Sequence, residues 1–272
     1  MIAGRHPGRL HPAKGAGGPP LVLLHGFLGA PSSWDAVLES LPHHGPAWCP
    51  WLPGHGPALP TPVHWDAAVQ ALVDALPEDA VLAGYSLGAR LALAAALRVG
   101  DRLRGTLLVG GHVGLGDDAA RAERAALDAI RAAALRSGPL EDFVVDWEAL
   151  PLFATQRALP AELQARQRAA RLAHDAQALA WGLEVAGLAQ MPDLRPAVVA
   201  ARQPLCFMTG ARDERFSALA AALVRLPWVT HRQVSGVGHN LLLEAPADVA
   251  RQVHALSQGR QQKHETERSG GA

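Results

Sequence analysis

One serine in the chain stands where a nucleophile would. Gly84-Tyr85-Ser86-Leu87-Gly88 fits the pattern G-x-S-x-G, with the apolar run AVLAGY leading into it and the helical run LALAAAL following. A sharp strand-to-helix turn strains the backbone at its apex, and glycines two residues to either side avoid clashes with neighbouring elements. The hydroxyl then projects at the N-terminus of a helix, where developing negative charge is favoured. A serine hydroxyl is a poor nucleophile or base by itself. It needs a histidine to take its proton and an acid to orient that histidine. Thirteen histidines compete for the role, so position in the fold must decide. Four residues beyond the serine, Arg90 interrupts the apolar helix. Helical residues i and i+4 share a face, so its guanidinium lies one turn from Ser86, suited to bidentate capture of a carboxylate. A structural ion pair is the competing reading for Arg90.

The elements that must position these residues follow from the apolar pattern. LVLLH, AWCP, AVLAGY, GTLLVGG and PLCFMTG are short continuous apolar runs, separated by helical stretches such as SSWDAVLESL and HWDAAVQALVDAL. Continuous apolar strands alternating with helices predict an α/β fold: a mostly parallel sheet with helices on both faces. From about His112 to Met191 the alternation stops and the chain reads as helical throughout: Asp117 to Leu135, a piece around LEDFVVDWEALPLF, then about Pro160 to Leu188. The expected organisation is a core domain of residues 1–111 and 192–256, interrupted by a helical cap of residues 112–191. Residues 1–20 read as irregular chain with one weak edge strand. The polar stretch 257–272 lacks apolar periodicity and reads as a disordered tail following a last helix from Pro246 to Leu256.

Composition narrows the function classes. Basic and acidic residues balance at 25 each in 272 residues, so nothing draws the chain toward nucleic acid or an anionic membrane. Only Lys14 and Lys263 are lysine; the arginine and alanine bias reads as genome composition. Cys49 and Cys206 make neither a disulfide framework nor a metal-ligand spacing. The N-terminus lacks the apolar core of a signal peptide, and no apolar run approaches the roughly eighteen residues of a membrane span. The expectation is a cytoplasmic protein in a reducing compartment. It uses no metal or organic cofactor, since no ligand cluster and no phosphate-cradling glycine loop of the dinucleotide type is present. The oligomeric state is not legible.

Position selects the partners of Ser86. His239 lies in GVGHN, between the last strand and the last helix, and Asp213 lies in TGARDERF, after the preceding strand. Both loops sit at the carboxyl ends of parallel strands, where open α/β sheets place ligands. Glu214 competes with Asp213, whose other reading is a helix N-cap. His25-Gly26-Phe27 follows the first strong strand, where the backbone N–H of Phe27 would join that of Leu87 as an oxyanion hole. His25 reads as a buttress of its loop, and His55 of LPGHG as structural.

These features resemble the α/β-hydrolase superfamily from about Leu21 to Leu256, with the chain order serine, acid, histidine that the superfamily shows. GYSLGAR, VGGHVGL, DWEALPLF, GARDERF and VGHN are similar to one branch of it, the 2-succinyl-6-hydroxy-2,4-cyclohexadiene-1-carboxylate synthases of the menaquinone pathway. The resemblance implies elimination of pyruvate from a polyanionic enolpyruvyl adduct, begun by proton removal at a serine–histidine pair. It also implies that basic residues of the cap join Arg90 around the carboxylates of this small-molecule substrate. Arg124 matches on the first cap helix, with Arg121 as its competitor. Arg171 matches on the later one, with Arg168 a turn away. Tyr85 and Trp147 match pocket-lining positions. Three departures stand out: Trp51 where an acid is frequent, Ala89 where glycine is usual, and the leucines after Asn240. The same Ser86–Asp213–His239 set would equally serve a hydrolase of a small carboxylic ester, lactone or thioester. A non-catalytic binding protein of the same fold would have no use for all three.

Overall fold

The computed structural model describes residues 7–56 and 64–269, with side chains as far as Gly259. The first six residues of the irregular N-terminal stretch and the last three of the polar C-terminal stretch lie outside the described residues. Among the described residues seven strands form one sheet: β1 (Gly8–His11), β2 (Leu21–Leu24), β3 (Ala47–Pro50), β4 (Val81–Tyr85), β5 (Gly105–Val109), β6 (Leu205–Gly210) and β7 (Val229–Val234). Their spatial order is β1-β3-β2-β4-β5-β6-β7. Only the edge strand β1 runs antiparallel, against β3; the other neighbours are parallel. The helices are α1 (Asp35–Ser40), α2 (Trp65–Ala75), α3 (Leu87–Val99), α4 (Asp118–Ser137), α5 (Leu140–Ala149), α6 (Ala161–Leu172), α7 (Ala176–Ala186), α8 (Arg195–Ala201), α9 (Glu214–Ala221), α10 (Leu241–Glu244) and α11 (Pro246–Ser269).

The strands β2 to β6 are buried along their whole length, because helices cover both faces of a parallel sheet. Side chains alternate between those faces. Val22 and Leu24 of β2 join the apolar layer beneath α2 and α3, while Leu21 and Leu23 join the layer with Val37 and Leu38 of α1 and Val249 and Val253 of α11. The helices α4 to α8 are inserted between β5 and β6. That insertion has an apolar cluster of its own: Ala132, Leu135, Phe143, Leu179, Ala180 and Leu183 pack around Leu28 of the loop after β2. Among the described residues no helix is long and apolar enough to cross a membrane.

Two helix boundaries differ from the sequence expectation. The stretch from Pro160 to Leu188 is two helices, because the Asp175 side chain accepts the Ala178 N–H at 2.8 Å and starts α7 afresh; an N-cap of this kind outweighs a continuous apolar period. The last helix runs to Ser269, past Leu256 and through most of the stretch expected to be a disordered tail. Gln, Arg, Lys and Glu dominate that extension. They are good helix formers, and a helix already anchored by packing extends at little cost.

Candidate active site

The turn between β4 and α3 holds Ser86 at φ 51°, ψ −105°, a left-handed conformation that side-chain-bearing residues rarely adopt. Neighbouring backbone forces it. A Cβ on Gly84 would lie 2.3 Å from the Gly88 carbonyl oxygen, and one on Gly88 would lie 2.4 Å from the carbonyl oxygens of Leu24 and His25. Both glycines therefore let α3 start directly above β2 and β4. The serine is left half-buried at the head of the helix.

The loops after β6 and β7 bring the other two expected residues to it. His239 Nε2 lies 3.1 Å from Ser86 Oγ, and its Nδ1 lies 2.7 Å from Asp213 Oδ2. With Nδ1–H donating to the carboxylate, Nε2 presents a lone pair to the hydroxyl. Asp213 also caps α9, its Oδ1 accepting from the Phe216 N–H at 3.4 Å. The cap and the orienting acid are one residue using two oxygens, whereas Glu214 is exposed in the first turn of α9. Gly110, at φ 57°, gives the imidazole its space: a Cβ there would meet His239 Cε1 at 2.7 Å. Glu244 brackets the histidine by accepting from the N–H of Gly238 at 2.8 Å and of Asn240 at 3.3 Å. Sequence reasoning missed Glu244; its signal is a carboxylate four residues after Asn240, the residue before a short helix, where it can reach back to the free amides.

The N–H groups of Phe27 and Leu87 have no backbone partner among the described residues. The loop carrying Phe27 is fixed by two buried histidines. His55 Nε2 accepts from the Leu28 N–H at 3.0 Å while its Nδ1–H donates to the Pro53 carbonyl at 2.9 Å. His25 Nδ1–H donates to the Gly26 carbonyl at 2.8 Å and its Nε2 accepts from the Leu52 N–H at 3.3 Å. Burial lowers the His25 pKa to about 3 and that of His55 well below its ordinary value, so both rings are neutral braces.

A cavity of about 260 Å³ opens over Ser86 and His239 and is lined by Phe27, Tyr85, Leu87 and Trp147. Its charged lining is of one sign: Arg90, Arg124, Arg131 and Arg215, with no Asp or Glu among the lining residues. Arg90 is buried and pairs with no acid among the described residues; its Nη1 donates to the carbonyl of Ala186 at 2.9 Å, at the end of α7. Burial, with the Arg124 charge added, lowers the Arg90 guanidinium to about 9. Arg124 donates through Nε to Asp128 Oδ1 at 2.9 Å. Its competitor Arg121 is occupied by the carbonyls of Leu115, Ala189 and Met191.

Arg171 is placed differently from the expectation. It is buried against Glu148, Nη1 to Oε1 at 2.8 Å, and lines a neighbouring cavity of about 430 Å³. Phe27, Tyr85, Trp147 and Phe153 line both cavities, and the Arg171 guanidinium stands 5.8 Å from the Phe153 ring centre. Glu148, which Arg168 also engages, holds this arginine behind the aromatic partition. Arg131 was not anticipated. It stands 5.2 Å from the centre of the Trp147 ring and 3.7 Å from Asp128, and its sequence signal is its place two turns beyond Arg124 on the same face of α4. Nor were Arg215, two residues beyond Asp213, or His112 anticipated.

The model of the alpha/beta hydrolase family matches residues 21–252 of the chain. The chain is 37% identical to the 2-succinyl-6-hydroxy-2,4-cyclohexadiene-1-carboxylate synthase of Salmonella agona, over 86% of this chain and 91% of that one. Among solved structures it is similar to MenH from S. aureus, with a TM-score of 0.86 and 28% identity, covering 94% of this chain and 99% of that chain. It is also similar to a thermophilic esterase from Thermogutta terrifontis in its malate-bound form, with a TM-score of 0.72, 25% identity and 91% of each chain covered.

Proposed function

From its membership of the α/β-hydrolase family, and within it of the 2-succinyl-6-hydroxy-2,4-cyclohexadiene-1-carboxylate synthases, we propose that this chain is a pyruvate-eliminating lyase acting on a polyanionic enolpyruvyl cyclohexene adduct. The observation that carries the reading is the cavity's lining: four arginines and no carboxylate surround a Ser86–His239–Asp213 set. A neutral ester has no use for four guanidiniums; Arg124 and Arg131 share the single carboxylate of Asp128 and Arg90 has a backbone carbonyl, so the four keep an excess of positive charge around the cavity. A substrate with several carboxylates satisfies them.

In this reading His239 Nε2, oriented through Nδ1 by Asp213, draws the proton from Ser86 Oγ. The oxygen in turn takes a proton from a substrate carbon next to a carbonyl. The electron pair left behind moves toward the ring, and the C–O bond to the enolpyruvyl group breaks. The departing enolate is protonated and leaves as pyruvate. Charge that builds on the substrate carbonyl oxygen falls to the N–H groups of Phe27 and Leu87, aided by the N-terminus of α3. Arg90 and Arg124 hold the carboxylates, Tyr85 and Trp147 form the walls, and residues 112–191 act as the cap that carries part of this lining. Arg171 serves from the adjoining cavity.

A second reading is hydrolysis of a small carboxylic ester, supported by the same triad geometry and by the likeness to the T. terrifontis esterase. One experiment separates the two. Purified protein given the enolpyruvyl adduct releases pyruvate, and Ser86→Ala does not. Brisk, serine-dependent turnover of p-nitrophenyl acetate without pyruvate release from the adduct would establish the esterase instead.

A further inference from the structure

The loop after β5 carries a polar group that the proton-transfer chemistry does not use. His112, in VGGHVGL, lies on the cavity wall with Ser86, Arg90 and Arg215. Its Nδ1 accepts the N–H of Gly114 at 3.0 Å. That contact settles the tautomer, since an accepting Nδ1 leaves the ring proton on Nε2. Nε2 has no partner, and it is absent from the side-chain atoms that are both sealed from solvent and unbonded among the described residues. An N–H donor is thus left open on a ring that is only 5% exposed and lines the cavity.

The surroundings hold that donor in place and keep it neutral. A Cβ on Gly114, at φ 94°, would lie 2.1 Å from the Pro192 carbonyl oxygen, so the loop is seated firmly against the end of the insertion. Phe216 lies 6.1 Å from the His112 ring centre and 4.6 Å from that of His239, so both imidazoles pack against one aromatic ring. Burial, followed by the charges of Arg90, Arg215, Arg124 and Arg195, lowers the His112 pKa to about 4. Its donor therefore adds direction to the cavity without adding a fifth positive charge.

We propose that His112 is a further substrate-binding residue, whose Nε2–H donates to an anionic oxygen of the ligand held beside Arg90. Guanidiniums attract any carboxylate that fits; a single neutral donor at a fixed position selects among orientations. The ligand class, a small polycarboxylate, rests on the proposed lyase reading, but the donor itself rests only on the geometry above.

The test separates the donor from the loop anchor. His112→Asn keeps an amide oxygen near the position of Nδ1 for the Gly114 N–H but has nothing to offer at Nε2. His112→Gln extends an amide toward the position of Nε2. Affinity for citrate, a soluble tricarboxylate probe, is measured by calorimetry alongside the thermal midpoint. The expected result is a loss of about tenfold in affinity for Asn, with the midpoint within a few degrees of the parent, and partial recovery for Gln. Equal citrate binding by the parent and His112→Asn, including no binding by either, overturns the proposal. So does a loss in Asn that follows a collapsed midpoint, if Gln with a normal midpoint shows the same loss. Pyruvate release from the adduct is read in parallel. Release without any effect of His112→Asn on citrate leaves the lyase reading standing and this inference fallen; the opposite pattern does the reverse.

Discussion

Ser86, Asp213 and His239 stand on loops at the rim of the sheet, whereas Arg124 and Arg131 stand on α4 in the insertion; the two walls of the cavity are held by different forces. On the sheet side backbone decides. Glycines admit backbone at 2.3 to 2.4 Å from where a Cβ would be, Glu244 holds two amides, and His25 and His55 hold four backbone groups between them. On the insertion side, long side chains lean on single carboxylates: Arg124 and Arg131 on Asp128, Arg168 and Arg171 on Glu148. The first kind of order is stiff and local. The second depends on which of several arginines a given acid captures.

The contrast can be broken at its strongest point first. Ser86→Ala should lower pyruvate release by at least about a thousandfold, the scale of a lost proton-transfer group, with little change in thermal midpoint. Activity within tenfold of the parent would sink the serine's role. Next, the sheet-side braces should be sensitive to acid. The pKa values of His25 and His55 lie below those of exposed histidine in the folded chain. As pH falls below about 6.5 the unfolded chain therefore binds protons that the folded chain does not, and stability is lost progressively, down to about pH 3 for His25. The loss between pH 7.5 and 5.5 is about 1.4 kcal/mol per histidine, read by urea denaturation at the two values. Stability that is flat across that range would show the braces are not neutral.

Where the two walls meet, Arg90 of α3 reaches the Ala186 carbonyl of the insertion, and Arg90→Ala should reduce kcat/KM for the anionic substrate by at least about tenfold, or roughly 1.4 kcal/mol. The smallest effect sharpens the comparison most. Arg171→Ala should cost turnover less than Arg124→Ala does, because Arg171 faces the adjoining cavity and is held by Glu148. Kinetics of the two variants side by side decide this, and a larger loss for Arg171 would mean that the aromatic partition does not separate the two arginines during turnover.

What was legible in the sequence follows the same division. The elbow, the acid and the histidine could be placed because G-x-S-x-G, GARDERF and VGHN sit at strand ends, and a parallel sheet puts all its strand ends at one rim. The break at Asp175 and the reach of α11 were not legible, since helix ends turn on one capping side chain or on propensity within a polar run. Choosing among Arg121, Arg124, Arg168 and Arg171 required knowing which carbonyls and carboxylates lie nearby, and periodicity carries no such information. Arg131 was readable from its spacing and Glu244 from its distance to Asn240. His112 was not, because its value as a donor depends on where one proton sits.

The left-handed backbone of Ser86 sets the wishes of the fold against those of the reaction. A side chain at that φ costs on the order of 1 kcal/mol or more, which glycine would escape. Ser86→Gly should therefore melt at a higher temperature than the parent while doing no chemistry. Left to selection for durability alone, this position would drift to glycine, and the enzyme would become an inert and sturdier protein. The serine marks a place where usefulness outranks stability.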